Sequence, residues 1–174
     1  MIHRLLVFAL AALGSAGVLM AQSDPLSTAV KRDYNRVKGY LLAAAEKMPE
    51  EHYSFQATSE VRNFGQIVAH VADSQLRGCS GFNGEQKRGD AGSLTAKADL
   101  VAALKASFDE CDKAYDSITD ATAAEMVAGR RGERPKLGIL YGNVAHDNEL
   151  YGVLGVYLRL KGIVPPSTAM RTRR

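Results

Sequence analysis

The stretch NVAHDNELYGVLGVYLRLKGIVPPS, Asn143 to Ser167, decides the fold. With Leu140 just before it, apolar residues at Val144, Tyr151, Leu154 and Leu158 recur at spacings of three, four and seven, the pattern of one buried helix face. Gly162, followed by Pro165 and Pro166, ends the pattern, which predicts a helix from about Lys136 to Lys161. His146 lies on this helix. Residues four apart share a helix face, so a second His one turn later would complete a two-pronged metal clamp, but Leu150 stands there. Asp147 falls on the apolar stripe itself, and a buried carboxylate must be paired or neutralised. Its two expected uses are to orient a histidine from behind or to accept a hydrogen bond from a tyrosine across the core.

Upstream the same reading yields three more helices. Asp24 then Pro25 offers an N-cap acceptor and a proline at the first helical position. Leu26, Val30, Tyr34, Val37, Leu41 and Met48 then mark one face until Pro49 stops it. Asn63 and Gln66 have capping-box spacing and open a second helix over about 64–80, with Phe64, Ile67, Val68, Val71 and Gln75 inward. The Gly- and charge-rich SGFNGEQKRGDAGS is a loop, and Thr95 is placed to cap a third helix carrying Leu100, Leu104, Phe108, Cys111 and Tyr115 to about Ser117. A polar loop through GRRGERP leads to the fourth helix. No alternating strand pattern is visible, so the expected fold is all-α, a four-helix protein.

Cys79 and Cys111 each lie sixteen residues beyond the expected caps at Asn63 and Thr95. In an antiparallel pair joined by a tight turn they would be separated by on the order of 20 Å at 1.5 Å per residue. In a parallel pair they come level, within the roughly 7 Å that a disulfide needs. The loop of about 14 residues reaches far enough, about 45 Å extended, to return along the helix. The spacing therefore predicts a Cys79–Cys111 bridge in an up-down-down-up bundle, against the alternative of two buried free thiols.

The first residues, MIHRLLVFALAALGSAGVLMAQS, have a basic start, an apolar run and small residues around Ala21. That is the layout of a signal peptide over 1–21, leaving a domain over 22–174 that is exported to the periplasm or the medium. The uncharged run from Leu5 to Met20 is 16 residues, short of the roughly 20 that span a bilayer, so no membrane span is expected after its removal. An oxidising compartment suits the cysteine pairing. The whole chain carries a net charge of +3, and the leader takes only Arg4 with it, so the mature balance of +2 gives no reason to expect nucleic acid. An apolar fraction of 46% is that of an ordinary globular domain with a core.

Three histidines remain beyond the leader: His52, His70 and His146. His70 on the second helix and His146 on the fourth fall near mid-height of an antiparallel pair, where bundles build metal sites. A catalytic zinc takes three protein ligands and a water. Glu149, three residues after His146, is the tentative third ligand, with Asp147, Asp73 and His52 as alternatives or as partners that orient the histidines. Without a metal, the two histidines would be hydrogen-bonded core side chains. No catalytic triad or phosphate-loop spacing is present, and Gly142, Gly152 and Gly155 read as places where a neighbouring helix approaches.

Taken together, RNFGQIVAHVADSQ (62–75), LKASFDECDKAYDSI (104–118) and the block from Asn143 to Ser167 resemble the DinB/YfiT-like family of four-helix bundles. The resemblance runs from about Tyr34 to Ser167 and implies an up-down-down-up bundle. It also implies a divalent metal, zinc, nickel or similar, held by one His of the second helix and two His four apart on the fourth. His70 and His146 match the first two positions and Leu150 occupies the third. Members with a known activity resemble thiol-dependent transferases. The resulting expectation is an exported DinB-like protein with a remnant or altered metal site, acting as a metal-dependent transferase or hydrolase. The alternative is a metal-free module that binds a small molecule or forms a homodimer.

Overall fold

A computed structural model of the chain describes residues 23–129 and 132–171, so the expected leader over 1–21 lies outside the described residues. Four long helices dominate: α1 (Pro25–Lys47), α2 (Phe64–Phe82), α3 (Lys97–Ser117) and α4 (Lys136–Leu160). A hairpin of β1 (Met126–Gly129) and β2 (Gly132–Pro135) precedes α4, and a short α5 (Pro166–Arg171) closes the described chain.

Side-chain pairings set the direction of each helix. Lys31 meets Asp116, Lys38 meets Asp112 and Glu46 meets Lys105, so α1 and α3 are antiparallel. Tyr157 donates to the Arg62 carbonyl, His70 meets His146, and Gln75 meets Asn143, so α2 and α4 are antiparallel as well. Tyr40 stacks on Tyr151 and Lys47 reaches the Val164 carbonyl, so α1 and α4 run parallel. The bundle is up-down-down-up.

In the parallel α2–α3 pair the two cysteines come level, with Cα atoms 4.9 Å apart in a Cys79–Cys111 disulfide. The α2–α3 connection returns along the bundle and is fastened as it goes. Ser80 Oγ accepts from the Lys87 amide, and the Asp73 carboxylate accepts from the amides of Ala91 and Gly92. Asn83 and Lys87 both donate to the buried Glu110 carboxylate on α3. The apolar faces read from the sequence meet in one core around Tyr34, Phe64, Leu104, Phe108, Leu140 and Leu158. Each such side chain contributes about 1.5–3 kcal/mol of burial. Tyr34 also stacks on Tyr115, ring centroids 3.8 Å apart.

The capping box forms as expected: Gln66 N donates to Asn63 Oδ1 and Asn63 N donates to Gln66 Oε1. Other expected ends differ. Asp24 does not cap α1 with its side chain. Instead Asp120, from the turn after α3, accepts from the amides of Leu26 and Ser27, while Asp24 Oδ1 accepts from the Asp120 amide. A carboxylate distant in sequence satisfies the orphan N–H groups as well as a local one and ties two ends of the bundle together. Thr95 does not cap α3, because Ala96 occupies the N-cap position and no side chain caps it.

The segment expected as a wholly polar loop contains the hairpin, Met126 pairing Pro135 and Gly129 pairing Gly132. Its β2 is exposed at every residue, so no buried face imposes the alternation that marks a strand in sequence. Gly132 has φ +95°, a left-handed conformation that glycine tolerates at a tight turn. No helix among the described residues is long and apolar enough to cross a membrane.

Candidate functional site between α2 and α4

The seam between α2 and α4 carries two fully buried polar side chains, Gln75 and Asp147. It begins at Tyr115 of α3, whose hydroxyl donates to the Leu140 carbonyl, with Asn143 Oδ1 2.8 Å away. Asn143 Nδ2 donates to Gln75 Oε1 at 2.7 Å, and Gln75 Nε2 donates to Asp147 Oδ2 at 2.6 Å. Gln75 and Asp147 are both 0% exposed. The chain stops at Asp147 Oδ1, which is buried and has no hydrogen-bond partner. The ring nitrogen beside it is His146 Nδ1, 3.5 Å away.

Beyond Asp147 the two histidines converge. His70 Nε2 and His146 Nε2 are 3.3 Å apart, with the rings edge to face. That distance suits an N–H···N bond between two neutral rings. It equally suits two ligands of one ion, since nitrogens held tetrahedrally at 2.0–2.1 Å from zinc stand about 3.3–3.4 Å apart. Burial lowers the His70 pKa, with the charges of Arg62, His146 and Arg77 acting in the same direction and Asp73 opposing. Burial raises the Asp147 carboxyl, against the opposing help of His146 and Gln75. A neutral His70 keeps its lone pair for a ligand or a proton donor.

The other expected site residues fall elsewhere. Glu149 is exposed, and Leu150 is half-buried against the core. Asp73 is spent on the Ala91 and Gly92 amides. His52 sits in the one-turn helix after α1 and does not line the cavity shared by His70 and His146. Among the described residues no group of three His, Cys, Asp or Glu side chains converges on one point. The donors that do fit a divalent ion are the two imidazoles. Asp147 is the carboxylate placed behind one of them, and its orphaned oxygen is the atom that a metal-polarised Nδ1–H would satisfy.

Asp147 is buried as its place on the apolar stripe implied, but its partner is Gln75 and not a tyrosine. Gln75 falls on the inward face of α2, where its polarity is the one signal of this role in the sequence. Gly142 approaches no helix: a Cβ there would come 3.2 Å from the Arg134 guanidinium of the hairpin, and at Gly152 it would meet nothing within 4 Å.

The up-down-down-up arrangement of four helices sets the class of the fold. The chain belongs to the DinB superfamily, whose family model matches residues 33–153. Among solved structures it is similar to a DinB-like protein from Bacillus cereus ATCC 10987, at a TM-score of 0.65 and 14% identity, over 80% of this chain and 95% of that one. That likeness concerns the fold. A search of curated proteins finds no match.

Proposed function

We propose that this chain is an exported DinB-like protein that holds a divalent cation, zinc or nickel in kind, at His70 and His146 and carries out transferase or hydrolase chemistry on a small molecule there. The observation that carries this reading is the convergence of the two Nε2 atoms at 3.3 Å in front of a buried carboxylate oxygen with no partner. Bound there, such an ion would polarise a substrate oxygen or lower the pKa of a bound water or thiol. The chain's own part is orientation. With a metal on its Nε2, the His146 ring would turn its Nδ1–H to Asp147, which Gln75 holds and Asn143 in turn braces. Export is supported by the leader-like residues 1–21 and by a disulfide suited to an oxidising compartment.

Metal content tests the site. Protein purified without chelator or histidine tag is expected to carry about one ion per chain, lost in His70→Ala and in His146→Ala, as the two ligands require. Glu149→Gln tests the third-ligand role of an exposed carboxylate. Metal-free wild-type protein that fails to retain zinc on dialysis overturns the reading.

A second reading rests on Leu150, a side chain without a donor atom at the family's third ligand position. In it the bundle is a metal-free module for a small ligand or for dimerisation through the exposed Val156 and Leu160 of α4. Metal uptake by Leu150→His alone, with none by the native chain, favours this reading.

A further inference from the structure

The cavity that His70 and His146 share opens between α2, α4 and the hairpin and has a volume of about 360 Å3, at the lower end of small-molecule sites. Its lining includes two arginines, Arg77 of α2 and Arg134 of β2, together with Ser74 and Asn143. No carboxylate lines it. In a chain whose acidic and basic residues number 19 and 22, a wall with two arginines, two histidines and no acid is a local bias and not a reflection of composition.

Arg134, exposed like the rest of β2, is tied to the first turn of α4. Its Nη2 donates to the Gly138 carbonyl at 2.8 Å, and the missing side chain of Gly142 makes room for the guanidinium, which a Cβ would approach to 3.2 Å. Among its described residues the hairpin contributes none to the core, yet it brings a cation to the cavity. Gly78 faces open space on the opposite helix, so the cavity stays open beside Arg77.

We infer that this cavity is a binding site for a small oxyanion-bearing molecule, a carboxylate or a phosphate ester, whose charged group is gripped by Arg77 and Arg134 while the rest of it lies toward His70 and His146. Planar guanidinium groups bind both oxyanions through paired N–H donors. The inference names the substrate class of the histidine site proposed above and rests on that reading for any chemistry. Anion capture itself depends on the arginines and is measurable without metal.

The test is an amide-NMR titration of protein stripped of metal on a chelating resin, at constant ionic strength, with inorganic phosphate in one arm and succinate in the other. The expected result is saturable shifts at Ser74, Gly78 and Gly142, the stronger arm identifying phosphate or carboxylate. Replacing both arginines (Arg77→Gln with Arg134→Gln) should weaken binding at least about tenfold, about 1.4 kcal/mol. Gly78→Leu, an exposed helix position where a side chain costs the fold nothing, should block the cavity and abolish the shifts. Absence of saturation in both arms, or a double arginine variant that binds like wild type, overturns the inference. A chain that binds the anion but no metal overturns only the metal reading.

Discussion

The two seams that α2 makes are built on opposite principles. Against α3 it is closed by a covalent bond and by a carboxylate with every partner in place: Glu110, 4% exposed, accepts from Asn83, Lys87 and Lys113. Against α4 it is held by a relay of amides that ends on an unsatisfied oxygen and two facing imidazoles. The first seam resembles a structural joint, complete in itself. The second keeps polar atoms in the core at a stability cost that apolar packing would have avoided, which marks it as the place where ligand chemistry is to be sought.

The largest test of this contrast is removal of the bridge. Cys79→Ala with Cys111→Ala opens a loop spanning 32 residues of sequence and should cost about 4 kcal/mol, read as a lowered urea midpoint. An unchanged midpoint would show that the α2–α3 seam does not depend on its covalent link.

On the other side, Gln75→Leu strands both Asp147 Oδ2 and the Asn143 amide and should cost about 2–3 kcal/mol. Adding Asp147→Leu and Asn143→Leu removes the stranded groups too and should recover most of that loss while abolishing metal uptake. If the triple variant is as unstable as the single, the relay is a structural requirement and the contrast between the seams fails.

The pH dependence should run in opposite directions. Glu110 is held down to about 2, first by its bonds to Lys113 and Lys87. Its stabilisation is therefore present above the ordinary glutamate value, about 4.3, and is lost as pH falls from there through about 2. Asp147 is raised, so its ionisation weighs against the folded state, and stability falls as pH rises from the ordinary aspartate value, about 3.9, through its raised folded value. Asp147→Asn should remove that second fall and leave the acid limb intact, as measured by urea midpoints across the acid-to-neutral range. Glu110→Gln should do the converse at a cost of about 1 kcal/mol, the smallest of these effects, because its lysine partners are largely solvated.

What the sequence made legible follows the same division. Helix faces, the Asn63–Gln66 box and the level placement of the cysteines are periodic or counted features, so spacing alone reached them and with them the bundle topology. His70 and His146 could be set at one height by the same counting. The Gln75–Asp147 bond could not, since it joins residues 72 apart through rotamers that no spacing reports. Asp120 capping α1 is hidden for the same reason, a residue 94 away from the Leu26 amide doing what Asp24 was placed to do. The hairpin escaped because its strands are four residues each and β2 is exposed throughout, so no core selects for a pattern.

The parallel course of α1 and α4 has one practical consequence. Asp24, at the foot of α1, and Val164, whose carbonyl accepts from Lys47 at the other end of that helix, lie at opposite poles of the bundle, separated by about 34 Å at the 1.5 Å rise of a 23-residue helix. Had α1 and α4 run antiparallel, those two points would have come level; the parallel course keeps them a bundle length apart. It also makes the protein a natural ruler: a donor and an acceptor dye at the two poles would report end-to-end compaction of the bundle in a single energy-transfer reading.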